Sequence, residues 1–307
     1  PQRLPAEDDA AAGRRPGRDR DRLMKITVLG ARGMLGNDVM LAAENEGHEV
    51  HGYGHAEVDI TDPDSVARRL RLDRPDAVVN CAAWTDVDGA EDEAEGALAV
   101  NGTGAGIVAE AAAAVDAKVL YVSSDYVFDG SKTTPYVETD QTGPVSSYGV
   151  SKLAGEVATL NANRRCFVVR SSWLFGINGG NFVDTMIRLG KTQKQVLVVR
   201  DQVGCPTYTW HLAYGLVRLL DSDAYGIHHM AGGGNCSWYD FAKEIFKLSE
   251  MEVTTLSATT EMFAAKAPRP AWSVLESGIE HAITLPDWQD GLAAYLEQRR
   301  SLEGTGS

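Results

Sequence analysis

Three residues near the middle of the chain have the types and spacing for acid–base chemistry. Ser124 closes a β-branched run, and Tyr148 and Lys152 follow it 24 and 28 residues later. Tyrosine and lysine at i and i+4 share one face of a helix, so both reach the same point. A free tyrosine titrates near ~10, and an ammonium beside it favours the phenolate, drawing the group towards working pH. Such a tyrosine gives a proton to a carbonyl oxygen as hydride arrives, or takes one in reverse. Ser124 would hold the same oxygen through its hydroxyl. An isolated YxxxK is common on helix surfaces, so the weight rests on what accompanies it.

Its companion is a glycine loop, Gly30-Ala31-Arg32-Gly33-Met34-Leu35-Gly36, directly after an apolar run and opening a helical pattern. Glycine permits the tight turn and the close approach of a pyrophosphate, whose charge then sits at a helix N-terminus. This predicts a dinucleotide site built on Gly30, Arg32, Gly33, Met34, Leu35 and Gly36. NAD specialists carry an acid at the end of the second strand to hold the ribose 2′-hydroxyl. Gly54 stands where that acid is expected, in Glu49-Val50-His51-Gly52-Tyr53-Gly54-His55, while Arg32 and His55 could face a phosphate. The expectation is NADPH over NADH, with NADH also accepted.

The elements that must position these groups are legible as an alternation. Strands are expected over 26–29, 49–53, 77–81, 119–123 and 166–170, with helical patterns over 34–45, 65–72, 89–115 and 148–160. Continuous apolar strands separated by helices indicate a doubly wound parallel α/β sheet covered on both faces. Residues 24–171 read as a Rossmann domain carrying cofactor and catalytic groups. Residues 172–300, with glycine- and proline-rich joints, read mainly as a smaller α/β substrate lobe, part of which returns to the Rossmann domain. Residues 1–23, mixing arginine with acids and prolines, read as a disordered leader, and 301–307 as a loose tail.

Composition narrows the class. The 307 residues are 44% hydrophobic and 23% charged, with 29 Lys and Arg against 43 Asp and Glu, a formal charge of −14. An acidic chain repels phosphate backbones and anionic bilayers, so nucleic acid and membrane are not expected partners. No segment reads as the 18 or more apolar residues of a membrane span. The four cysteines are scattered without a CxxC pair, which fits a reducing cytoplasm rather than a disulfide framework. No metal site is expected: His228-His229 lacks a third ligand at metal spacing. Oligomeric state is open between monomer and homodimer.

Gly30-x-x-Gly33-x-x-Gly36, Asp59-Ile60-Thr61-Asp62, Ser124 and Tyr148-x-x-x-Lys152 together resemble the extended short-chain dehydrogenase/reductases. Within them, five further runs resemble the dTDP-4-dehydrorhamnose reductases: 79–88 (VNCAAWTDVD), 123–130 (SSDYVFDG), 170–176 (RSSWLFG), 181–186 (NFVDTM) and 201–208 (DQVGCPTY). The likeness runs from Met24 to about Leu220. It implies an oxidoreductase of dTDP-rhamnose biosynthesis, reducing the C4 keto group of a dTDP-linked sugar with NADPH. Tyr148 would be the proton donor, and Lys152 would hold the nicotinamide ribose and tune Tyr148. Asp59 and Ile60 would border the adenine, and Ala82, Ala83 and Thr85 would line the cofactor. Ser124 and Asp125 would touch the sugar, Trp173 would pack on it, and Asn181 would contact a diphosphate or simply cap a helix. Asn101 would anchor a water relay behind Lys152, or be structural. Ser-Ser-Asp replaces the family's frequent Ser-Thr-Asp and keeps the hydroxyl. Two alternatives stay open: a 4-ketoreductase for another dTDP-deoxysugar, and a non-catalytic NADP-binding regulatory subunit, against which an intact Ser124, Tyr148 and Lys152 argue.

Overall fold

The computed structural model describes residues 23–304. Its first half alternates strand and helix: β1 (Lys25–Leu29), α1 (Met34–Asn45), β2 (Glu49–Tyr53), α2 (Pro63–Asp73), β3 (Ala77–Asn80), α3 (Gly89–Asp92), α4 (Ala94–Leu98), α5 (Ala105–Ala114), β4 (Lys118–Ser124), α6 (Ser147–Ala162) and β5 (Cys166–Ser171). Every residue of β3 and β5 is buried, because helices cover both faces of the sheet. The second half contributes β6 (Leu174–Phe175), α7 (Phe182–Gly190), β7 (Gln195–Val199), β8 (Val203–Gly204), β9 (Thr207–Tyr208), α8 (Thr209–Leu220), β10 (Gly226–His229), β11 (Cys236–Ser237), α9 (Trp238–Leu248), β12 (Thr254–Ala258) and α10 (Trp288–Gly304).

One six-stranded parallel sheet runs in the order β10-β5-β4-β3-β1-β2. The strand order reverses between β1 and β3, which opens a crevice beyond their carboxyl ends, the place where such sheets bind ligands. The sixth strand, β10, was not anticipated from sequence: Gly226-Ile227-His228-His229 is half polar and only two of its residues are buried. It pairs with β5 at the sheet edge, and α8 shares the α1 core, so the chain returns to the main sheet after the first small sheets form. A second core, around Phe175, Phe241, Ile245, Trp288 and Tyr295, belongs to the 174–296 segment.

Three expectations change. Residues 1–22 and 305–307 of the expected leader and tail lie outside the described residues, whereas 301–304 are the last turn of α10, not loose tail. Arg299, paired with Asp184 at 3.0 Å and with Glu303 one turn on, ties that end down. The alanine-rich helical region expected over 89–115 is α3, followed by α4 and α5 joined through a π-helical turn, Ala99–Gly104. Together they make a 21-residue helix, Ala94–Ala114, long and apolar enough in composition to cross a membrane, contrary to the sequence expectation. Half of it is buried, packed against α6, as a core helix would be.

α1 and α8 meet through a buried polar contact. Asp38, 3% exposed, accepts from Thr209 Oγ1 at 2.5 Å, and burial pushes its carboxyl up from 3.8 to about 6. Between those values the folded chain holds a proton that the unfolded chain has released, so stability falls as pH rises through that window. Asp38→Asn keeps the volume and removes the charge. It should stabilise the protein at pH ~8 by on the order of 2 kcal/mol, several degrees in Tm, and change little near pH ~4. A lower Tm for the variant at the higher pH would refute this.

Candidate active site

β4 delivers its last residue, Ser124, to the carboxyl edge of the sheet, where the chain turns through a short 3₁₀ segment, Asp125–Val127. Ser124 caps that turn, accepting from Tyr126 N at 3.1 Å, and donates to Asp125 Oδ1 at 2.9 Å. Helix α6, capped by Ser146, then brings Tyr148 and Lys152 to the same edge. The Tyr148 ring meets Tyr126 edge-on at 5.5 Å. Burial holds Asp125 up at about 6 and Tyr148 at about 12; the Asp125 charge adds to the Tyr148 shift, and Ser124 opposes it.

The proposed tuning of Tyr148 by Lys152 takes a different form here. Lys152 Nζ donates to the Val122 carbonyl at 2.6 Å and lies 4.4 Å over the Tyr121 ring, turned towards β4. Its charge is not among the influences on Tyr148, which is held as a phenol, the form that donates a proton. Burial pulls Lys152 itself down to about 7.

The glycine loop occupies the crevice between β1 and β3. Gly33 is the N-cap of α1 and has no side chain to satisfy the first-turn N–H groups, which leaves them for an anion. Gly30 has φ +77°, and Gly36 sits over the Gly30 carbonyl, where any side chain would collide. Met34 and Leu35 begin the helix, with Leu35 buried. Asn80 Nδ2 and Ser171 Oγ, at the carboxyl ends of β3 and β5, are buried without a partner. Free N–H groups, unpaired buried polar atoms and a glycine cradle fit a dinucleotide.

Asp59 closes its own turn by accepting from Thr61 N and Oγ1, and Ile60 is buried beside Val58 and Leu70. Ala82 and Ala83 are half-buried and Thr85 exposed in the loop after β3. Asn101 pins that loop, accepting from Trp84 N at 2.9 Å and donating to Trp84 O, while Nδ2 also donates to Ser151 Oγ. The protein thus engages both atoms of the amide expected to anchor a water relay.

One sequence expectation needs correcting. A carboxylate does stand beyond β2: Glu57 accepts from Gly54 N at 2.7 Å and pairs with Arg32 Nη2 at 3.0 Å. The Arg32 stem lies over Gly54, where a Cβ would strike its Cγ at 2.6 Å. Glycine at 54 therefore makes room for the arginine, and the acid comes three residues later than the strand-end rule places it. His55 is turned to Asp59, at 3.9 Å.

On the substrate side, Trp173 adopts φ +49° and stacks on Trp238, ring centroids 3.5 Å apart, with Gly204 against its indole. Trp238 donates to Gln202 Oε1. Nothing local to Trp173 announced Trp238, which lies 65 residues away. Asn181 is the N-cap of α7: Oδ1 accepts from Asp184 N, and Nδ2 donates to Gly176 O and Asp184 Oδ2.

Comparison with known proteins agrees with this architecture. The model of the RmlD substrate binding domain matches residues 24–301. The spore coat polysaccharide biosynthesis protein SpsK of Bacillus subtilis is 40% identical over 91% of this chain and 99% of its own length. The dTDP-4-dehydrorhamnose reductase of Mycolicibacterium smegmatis is 40% identical over 91% of this chain and 89% of its own. A crystal structure of dTDP-4-dehydrorhamnose reductase from Bacillus anthracis, in complex with NADP, superimposes with a TM-score of 0.88 at 37% identity, covering 90% of this chain and all of that one. A doubly wound sheet, a glycine crevice beside Ser124, Tyr148 and Lys152, and likeness over nine-tenths of its length lead to one assignment: the chain belongs to the RmlD substrate-binding family, among the dTDP-4-dehydrorhamnose reductases.

Proposed function

We propose that this chain reduces the C4 keto group of dTDP-4-dehydro-L-rhamnose to give dTDP-L-rhamnose, using NADPH. The observation that carries the reading is the meeting of Ser124 and the phenolic Tyr148 at the sheet edge beside the glycine crevice. Bound there, a nicotinamide would supply the hydride. Ser124 orients the ketone oxygen, and Tyr148 gives it a proton as negative charge develops. Lys152, one turn along the same helix, would hold the nicotinamide ribose. Ser124 and Asp125 would meet the sugar, with Trp173 packed on it. Gly33, Met34 and Leu35 would hold the pyrophosphate at the start of α1, and Ala82, Ala83, Thr85, Asp59 and Ile60 would flank the rest of the cofactor. Remote contacts in the 172–300 segment would position the reacting carbon, since binding energy distant from the reaction can be spent on alignment. Depletion of NADPH with a panel of dTDP-4-keto sugars, with product stereochemistry determined, tests the substrate; preference for another sugar would reassign the chain to a different deoxysugar.

Cofactor choice turns on Arg32 and Glu57. Their side chains are 73% and 44% exposed, and an ion pair that exposed is worth under ~1 kcal/mol, so Arg32 leaves it cheaply for a 2′-phosphate. Glu57 would accept from a ribose diol when the phosphate is missing. Arg32→Ala should lower kcat/KM for NADPH by about 10-fold or more while that for NADH moves under about threefold. Glu57→Gln should weaken NADH selectively. Parallel losses with both cofactors would refute the assignment.

A further inference from the structure

Behind the catalytic face of α6 lies a buried ion pair that the proposed chemistry leaves unused. Glu156 follows Tyr148 and Lys152 at the same four-residue interval, so the three project from one side of the helix. Glu156 and Arg170 are each 2% exposed. Their contact is bidentate: Nη2 donates to Oε2 at 2.6 Å and Nε to Oε1 at 2.8 Å. Oε1 also accepts from Ser123 Oγ at 2.6 Å. Ser123 and Arg170 are register partners on β4 and β5, each one residue before the strand ends at Ser124 and Ser171. One carboxylate therefore ties α6 to the last turn of both strands that carry the site.

The rest of the cluster is closed. Arg170 lies 5.0 Å over the Phe128 ring, and its Nη1 is 3.4 Å from His229 Nε2. His229 Nδ1 faces the carbonyls of Tyr136 and Glu276, which assigns its proton there and leaves Nε2 to accept from Arg170. Buried ion pairs rarely repay their desolvation, and apolar groups of the same volume pack as well. A different cost next door gives this one a use. Lys152, also 2% exposed, holds its ammonium against the Val122 carbonyl and the Tyr121 ring, where desolvation disfavours the charge.

We propose that Glu156 is a positioning residue for Lys152: braced by Arg170 and Ser123, its carboxylate keeps the Lys152 amine charged and locks α6 against the ends of β4 and β5. The inference rests on the reading that Tyr148 and Lys152 perform the reduction. The groups facing Lys152 are Glu156 from α6, the Val122 carbonyl and the Tyr121 ring from β4, and Cys81 after β3, with Arg170 behind Glu156. Of these, Glu156 is the largest influence opposing the pull of burial, followed by Cys81.

Glu156→Gln tests this in the full chain. With lysine labelled at ¹³Cε, the Lys152 titration midpoint of the cofactor-free protein should fall by about one pH unit or more, a tenfold change in its acidity. The basic limb of kcat against pH should move down with it, KM for NADPH should change under about threefold, and Glu156→Asp should restore most of both. If the single variant does not fold, Glu156→Gln with Arg170→Met leaves no orphaned guanidinium and, with the carboxylate still missing beside Lys152, should still show a lowered midpoint. A folded variant whose Lys152 midpoint and pH profile match the parent overturns the proposal. Tyr148→Phe, assayed alongside, separates the two readings: normal turnover there removes the catalytic reading, whereas the Lys152 midpoint is read without catalysis.

Discussion

Tyr148→Phe should lower NADPH consumption with the keto sugar by about 10²–10⁴-fold while leaving the Kd for NADPH within about threefold. The phenyl ring retains the edge-on contact with Tyr126, so the local packing survives. What disappears is the hydroxyl that stands with Ser124 and hands over the proton. With Tyr148 held at about 12, the phenol stays protonated across the physiological range, and the decline of reduction at alkaline pH should report Lys152, near 7, before the tyrosine. A variant that reduces the sugar at the parent rate, or that loses cofactor binding together with turnover, would remove Tyr148 from the role of proton donor.

Gly30→Ala should cost the fold about 3–5 kcal/mol, on the order of 10 °C in Tm, and abolish the gain in Tm expected when NADPH is added to the parent. Two causes add. At φ +77° a side chain meets the left-handed penalty of ~1–2 kcal/mol. The added Cβ would also stand 2.5 Å from Ala82 N and 2.7 Å from Cys81 C, backbone atoms that move only if β1 and β3 part. Those strands are bonded through Cys81 N to Leu29 O, and the crevice between them is where the pyrophosphate would lie. Thermal melts with and without NADPH check both parts. A stable variant that still gains Tm from the cofactor would mean that the turn is not what shapes the site.

Much of the site was legible because its parts are local. The residues of α1 and β2 fall where their apolar spacing predicts them, and the Gly30–Gly36 loop lies between strand and helix as its order requires. Tyr148 and Lys152 share a helix face by periodicity alone. Glu57 escaped notice because the strand-end rule points at Gly54; an acid reaching back from a following turn, to a backbone N–H and an arginine stem, has no fixed spacing. β10 escaped because an edge strand beside β5 needs no continuous apolar run.

From the sequence alone followed the element order as far as β5, the glycine loop between strand and helix, and the tyrosine–lysine pair, all set by short-range periodicity and turn chemistry. Tertiary structure alone decided which charges are stripped of water and what then answers them. Arg170 meets Glu156 across a strand and a helix, Asp38 is sealed beneath Thr209, and Trp173 finds Trp238. The state of Lys152 follows from such contacts, because the cost of a buried ammonium is set by the groups around it, and those come from β4, β5 and the loop after β3 as much as from its own helix.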